Sequence, residues 1–177
     1  SLAKESGGTG YGTAPAQRPK GASLPISNFE FPIALMTDER FFPAKNFAWL
    51  PSEHSEYERS RVVVLPVPLD RTTSYVAGTR NGPHEILVAS SHMELWDEEI
   101  EADVSRIGIH TLPEMEFPFA SLEEVTGEIR RVASEIIGRG KFPVFLGGEH
   151  SITGPIVAAM AQTYSGLSVL QIDAHAD

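Results

Sequence analysis

The sequence predicts an α/β fold: a central parallel sheet covered by helices on both faces. Three observations carry that prediction. Strand-like runs at residues 61–68, 104–109, 142–146 and 167–172 alternate with helix-patterned stretches. The run Arg61-Val62-Val63-Val64-Leu65-Pro66-Val67-Pro68 is continuous rather than alternating, as in strands buried on both faces. The residues best suited to chemistry follow the third and fourth runs directly, and parallel sheets bind ligands beyond the carboxyl ends of their strands.

Taken in order, residues 1–28 are rich in Gly, Pro, Ser and Thr, and such a composition cannot bury enough apolar surface to order itself. They read as a flexible arm. Residues 29–60 bring Phe29, Phe31, Phe41, Phe42, Phe47 and Trp49, interrupted by Pro32, Pro43 and Pro51, and read as an irregular segment docked on a surface. The regular domain is expected over 61–177. After its first strand, Ala77-Gly78-Thr79-Arg80-Asn81-Gly82-Pro83 is a loop, and Pro83 suits the first turn of a helix through Glu85, Ile86, Leu87, Val88 and Ala89. Residues 104–109 form a second short strand. The clearest helix spans 121–138: Ser121 is an N-cap, Glu123 and Glu124 sit in the first turn, and Gly138 follows the last apolar residues. Val125, Ile129, Val132, Ile136 and Ile137 supply its apolar stripe. A third strand at 142–146, a Gly147-Gly148 turn, a helix at 152–163 and a fourth strand at 167–172 complete the order.

Composition narrows the function. The 177 residues carry 14 basic and 24 acidic side chains, a net charge of −10. That argues against nucleic acid or an anionic membrane surface as partner and weakly favours a cationic substrate. The chain has no Cys, which excludes disulfides, thiolate zinc sites and Cys nucleophiles and is compatible with a cytosolic home. No apolar run approaches the length of a membrane span. The first thirty residues lack the features of a signal peptide, and Arg18 as the only Arg before Arg40 does not support a mitochondrial transit peptide.

Asp173-Ala174-His175-Ala176-Asp177 ends the chain. In extended backbone alternate side chains share a face, so Asp173, His175 and Asp177 would point the same way. Gly147-Gly148-Glu149-His150-Ser151-Ile152-Thr153 delivers another His at an equivalent strand end. His150, Asp173, His175 and Asp177 are thus four N/O donors able to converge on one edge, and two carboxylates can each bridge two ions. Without sulfur the set suits Mn²⁺, with Zn²⁺, Fe²⁺ and Co²⁺ also compatible. Two metals would activate a bridging water for hydrolysis at an electrophilic carbon. Glu149 reads as structural at a helix start; Gly147 and Gly148 serve the tight turn and a close backbone approach. Arg80 and Asp70 read as loop residues more readily than as substrate contacts. His54, His84, His92 and His110 have no partner pattern, and the acidic run at 94–103 reads as a solvated face.

These residues carry a family resemblance. Phe145-Leu146-Gly147-Gly148-Glu149-His150-Ser151-Ile152-Thr153 and Ile172-Asp173-Ala174-His175-Ala176-Asp177 resemble the first two signatures of the ureohydrolases, the family of arginase, agmatinase, formiminoglutamase and guanidinobutyrase. Pro66-Val67-Pro68-Leu69-Asp70, Thr72-Thr73-Ser74-Tyr75, Gly78-Thr79-Arg80-Asn81-Gly82-Pro83 and Glu94-Leu95-Trp96-Asp97-Glu98-Glu99 are similar to its agmatinase branch. The resemblance implies a three-layer arginase-like fold, here ending after the strand that leads into the Asp173 motif. It implies a two-manganese site in which His150 binds one ion, His175 the other, and Asp173 and Asp177 are carboxylate ligands, at least Asp173 bridging. Asp177 would also accept a hydrogen bond from the bridging hydroxide. The implied reaction is hydrolysis of a small cationic guanidino compound, foremost agmatine to putrescine and urea, in a cytoplasmic homo-oligomer of the complete protein. The family's later Asp-x-Asp ligands, its proton-transfer His and its guanidinium-binding acid have no counterpart in this sequence. The expectation is therefore an N-terminal part with four of six metal ligands, alternatively a piece that needs another chain to complete the site. An arginase, guanidinobutyrase or formiminoglutamase specificity, or an amidohydrolase acting on acylated amines, are the other readings.

Overall fold

A computed structural model describes residues 46–117 and 120–174. The expected arm at 1–28, the aromatics Phe29, Phe31, Phe41 and Phe42, and both His175 and Asp177 lie outside the described residues.

The elements run α1 (Ser52–Ser55), β1 (Val62–Val67), α2 (Gly82–Ser90), β2 (Trp96–Asp97), β3 (Ala102–Asp103), β4 (Ile109–Thr111), α3 (Leu122–Gly138), β5 (Phe142–Gly147) and α4 (Thr153–Thr163). The main sheet is parallel, in the order β4-β1-β5, and β1 pairs with β5 from Val62 opposite Phe142 to Val67 opposite Gly147. Central position explains the unbroken apolar run of β1: Val63, Val64, Leu65 and Val67 are all buried. Val63, Leu65 and Val67 share a core cluster with Val125, Ile129 and Ile136 of α3 and with Ile152. Ala133 and Ile137 of α3 meet Ala159 of α4, where the two small residues bring the helices together.

The topology sets up a crevice. The crossover β1-α2-β4 steps one way along the sheet, and β4-α3-β5 steps back past β1. With right-handed crossovers these helices cover opposite faces. Helix α4 packs against α3 and so lies on the α3 face, while α2 packs against β1 and β5. The chain therefore leaves the adjacent strands β1 and β5 toward opposite faces, and their carboxyl ends flank a topological switch point, where open α/β sheets bind ligands.

Local chemistry explains the helices. Ser121 and Glu124 form a reciprocal capping box: Glu124 N–H donates to Ser121 Oγ at 3.2 Å and Ser121 N–H to Glu124 Oε2 at 2.6 Å. The buried stripe of α3 is Val125, Ile129, Ala133, Ile136 and Ile137, with Val132 at its margin. Gly138 is the last helical residue, and Gly140, at φ 70°, makes the turn into β5. Residues 46–60 dock on the sheet's rim. Phe47 N–H donates to Thr111 Oγ1, Ala48 N–H to Ser90 Oγ, and Leu50 is buried. Lys141 Nζ fixes the end of that segment by donating to the carbonyls of Tyr57 (2.8 Å), Glu58 (3.2 Å) and Ser60 (2.7 Å).

Two expected strands differ. At 104–109 the chain makes a 3-10 turn (Val104–Ile107), and pairing begins only at Ile109. The Asp103 carboxylate accepts from Ser105 N–H and Oγ, which holds the turn, and Gly108 at φ 79° redirects the chain into β4. Residues 167–172 form no strand: they pair with no other strand among the described residues, and Leu170 and Ile172 are 87% and 93% exposed. The strand expected to lead into Asp173 is therefore not formed among the described residues. The acidic run at 94–103 is mostly exposed, as expected of a solvated face, and contains the short antiparallel ribbon β2-β3. No helix among the described residues is long and apolar enough to cross a membrane.

Candidate metal centre

The turn after β5 is built from tight contacts. A Cβ on Gly148 would collide with the Leu69 carbonyl oxygen and stand 2.7 Å from Leu69 N and 2.9 Å from Val67 O, so only glycine lets the ends of β1 and β5 touch here. A Cβ on Gly147 would stand 2.7 Å from Ile152 Cδ1. Glu149 N–H donates to Leu69 O at 2.9 Å, joining the two segments two residues past the last paired residues, Val67 and Gly147. His150 then opens a 3-10 turn (His150–Ile152) that runs into α4. Its half-exposed imidazole has Nδ1 3.6 Å from Asp173 Oδ2.

The structure thus brings together two of the four expected ligands, His150 and Asp173. His175 and Asp177 lie outside the described residues, and among the described residues no three His, Asp or Glu side chains gather as a metal cluster. The pair fits a divalent ion. One imidazole nitrogen and one carboxylate oxygen, each about 2.1 Å from a shared ion, stand about 3.0–3.5 Å apart at octahedral to tetrahedral angles, just inside the observed 3.6 Å. Both side chains keep solvent access, which an ion and a substrate require.

Two further carboxylates shape the crevice. Glu149 is buried, and both its oxygens are taken: Oε2 accepts from the backbone N–H groups of Arg71 (2.6 Å) and Thr72 (2.7 Å), Oε1 from the hydroxyls of Thr72 (2.6 Å) and Ser151 (2.5 Å). Burial pushes its pKa up, but the hydrogen bonds from Ser151, Thr72 and Arg71 outweigh this and hold it below the ordinary value. Asp70, its side chain 1% exposed, accepts from Gly78 N–H (2.6 Å) and Thr73 Oγ1 (2.9 Å) and has Arg80 Nε at 3.6 Å. Chiefly the Gly78 and Thr73 hydrogen bonds depress its pKa. Arg80 therefore braces a loop, and Arg71 ties it down by donating to the carbonyls of Ala120 and Phe117. Sequence reasoning marked Glu149 as structural but missed its partners, which are 77 and 78 residues away.

The four histidines without a sequence pattern divide. His84 and His92 are exposed. His54 Nδ1 lies 3.1 Å from Ser105 Oγ. His110 is only half satisfied: Nδ1 is 2.7 Å from Ser55 O and so carries the proton, while Nε2 is buried without a hydrogen-bond partner among the described residues. Burial lowers its pKa.

Comparison with known proteins identifies the family. A model of the arginase family matches residues 60–177. The chain is 41% identical over 121 residues to N(1)-aminopropylagmatine ureohydrolase of Thermus thermophilus, covering 68% of this chain and 41% of that protein. It is 33% identical over 124 residues to agmatinase of Bacillus anthracis, covering 70% and 43%. Among solved structures, agmatine ureohydrolase of Thermoplasma volcanium superposes with a TM-score of 0.60 at 32% identity, over 68% of this chain and 40% of that one. The chain spans about two fifths of the length of these relatives. A match that begins just before β1 and runs to residue 177, through both candidate ligand segments, makes this chain a member of the arginase family.

Proposed function

We propose that this chain supplies the first ligand-bearing part of a two-manganese ureohydrolase site that hydrolyses a small cationic guanidino compound, foremost agmatine to putrescine and urea. The observation that carries the reading is the apposition of His150 and Asp173 at 3.6 Å on the carboxyl edge of the sheet of an arginase-family chain. The names of the relatives, aminopropylagmatine ureohydrolase and agmatinase, support the substrate class, and the net charge of −10 suits a cation. His150, Asp173, His175 and Asp177 would hold the metal, with donors of the type manganese takes. When bound, the ions supply a water activated at neutral pH. Asp177 would accept a hydrogen bond from the water, and the Gly148 contact holds the turn that carries His150 against the end of β1. A homo-oligomeric complete protein in the cytoplasm belongs to the same proposal.

The test is urea release by the complete protein loaded with Mn²⁺, given agmatine, N(1)-aminopropylagmatine, arginine and guanidinobutyrate in parallel. Agmatine is expected to give the highest kcat/KM. Preference for another of the four corrects the substrate, and no urea from any of them overturns the reading. The share of its relatives that the chain covers, about two fifths, favours a second proposal, that this chain alone is catalytically incomplete. Mn²⁺-dependent urea release by the isolated 177-residue chain would overturn it.

A further inference from the structure

Glu149 precedes His150 in sequence, yet it is not a metal ligand in waiting. A carboxylate offers about four lone-pair sites, and Glu149 fills its own with two backbone N–H groups and two hydroxyls. Three of these donors belong to Arg71 and Thr72, at the foot of the loop after β1; the fourth belongs to Ser151, next to His150. The loop itself is closed by Asp70 on Thr73, Gly78 and Arg80. Its foot is further anchored by the Leu69 carbonyl on Glu149 N–H. One buried side chain thus joins the two walls of the crevice.

We propose that Glu149 is a positioning residue: its carboxylate locks the His150 turn to the foot of the 70–80 loop and so sets where His150 stands on the metal edge. The proposal rests on the reading of His150 as a ligand. The four contacts distinguish hydrogen bonding from charge. Glutamine can keep all of them, its carbonyl accepting the two N–H groups and its amide donating to the Thr72 and Ser151 hydroxyls, which accept as readily as they donate. Alanine keeps none and leaves two backbone N–H groups without their acceptor.

The experiment uses the complete protein with Mn²⁺ alone as probe. Calorimetry measures Mn²⁺ affinity, and amide hydrogen exchange follows Arg71 and Thr72. Glu149→Ala is expected to weaken Mn²⁺ binding about 10- to 100-fold and to speed exchange at both amides. Glu149→Gln is expected to stay near wild type in both. If Glu149→Ala speeds exchange but leaves Mn²⁺ affinity unchanged, the residue only braces the loop and the proposal fails. It also fails if Glu149→Gln is as damaging as Glu149→Ala, because charge would then be the operative property. Should Glu149→Ala not fold, the pair Thr72→Val and Ser151→Ala removes only the hydroxyl arms; weakened Mn²⁺ binding supports the proposal and unchanged binding overturns it. Wild-type protein that binds Mn²⁺ but releases no urea refutes the guanidino substrate and leaves this result standing. Wild-type protein that binds no Mn²⁺ overturns the metal reading and this proposal together.

Discussion

The run ending at Gly147 and the run ending at Ile172 are both largely apolar, and each leads into a candidate ligand motif, yet they behave differently. Residues 142–147 lie along β1 in full register, and the turn beyond them is fixed by Gly148, Glu149 and the Leu69 carbonyl. Residues 167–172 lie along no strand among the described residues, and their apolar side chains face solvent. The difference teaches that an apolar run becomes a parallel strand only where a neighbouring edge takes its N–H and C=O groups. Asp173 still comes within 3.6 Å of His150, so one contact of the site forms without the strand that was expected to deliver it.

The comparison can be broken most directly with one residue type at two places. Ile129→Ala in the fully buried stripe of α3 should destabilise the chain by about 2–5 kcal/mol, whereas Ile172→Ala should change stability by less than about 0.5 kcal/mol. Urea denaturation of both variants measures this, and equal effects would mean that residues 167–172 are packed. Next in size is Gly148→Ala. The added methyl has no space against Leu69 and Val67, and overpacking of this kind costs about 1–3 kcal/mol; a denaturation midpoint equal to wild type would show that the strand ends do not touch. Removing the Ser121 cap by Ser121→Ala should cost about 1 kcal/mol, read from the same curves.

The smallest expected effect is a pH slope. His110 has a lowered pKa, so its stabilising neutral form is fully present above the ordinary imidazole value and is lost as pH falls from there toward the depressed one. Protonation adds an N–H at Nε2, which has no acceptor among the described residues. Thermal melting followed from pH 7 to 5 should decline in wild type and decline less in His110→Gln; identical slopes would remove His110 as the cause. Asp70 and Glu124, both depressed, add their own loss at lower pH, as each is protonated through its folded value.

Much of this was legible in the sequence because it is local. Ser121 and Glu124 sit three residues apart, Pro83 stands at a helix start, and the β1 run is continuous. The 104–109 strand was not legible as drawn, because an Asp103 cap and a positive φ at Gly108 override the apolar residues between them. The strand at 167–172 failed for a different reason: pairing depends on a partner that no local pattern can reveal. For the candidate site, His150 and Asp173 could be named from their motifs, but the latch of Glu149 onto Arg71 and Thr72 could not, since nothing in one segment encodes hydrogen bonds to another 77 residues away.

The loop after β1 is held at its foot by Glu149 and across its middle by Asp70, while residues 74–77 stand outside both clamps and Tyr75 is 96% exposed. This division has an evolutionary meaning. Mutations at the tip are nearly free of folding consequences, and mutations at the foot are not. A lineage built on this scaffold can therefore explore new surface chemistry at residues 74–77 while the His150 turn stays where it is.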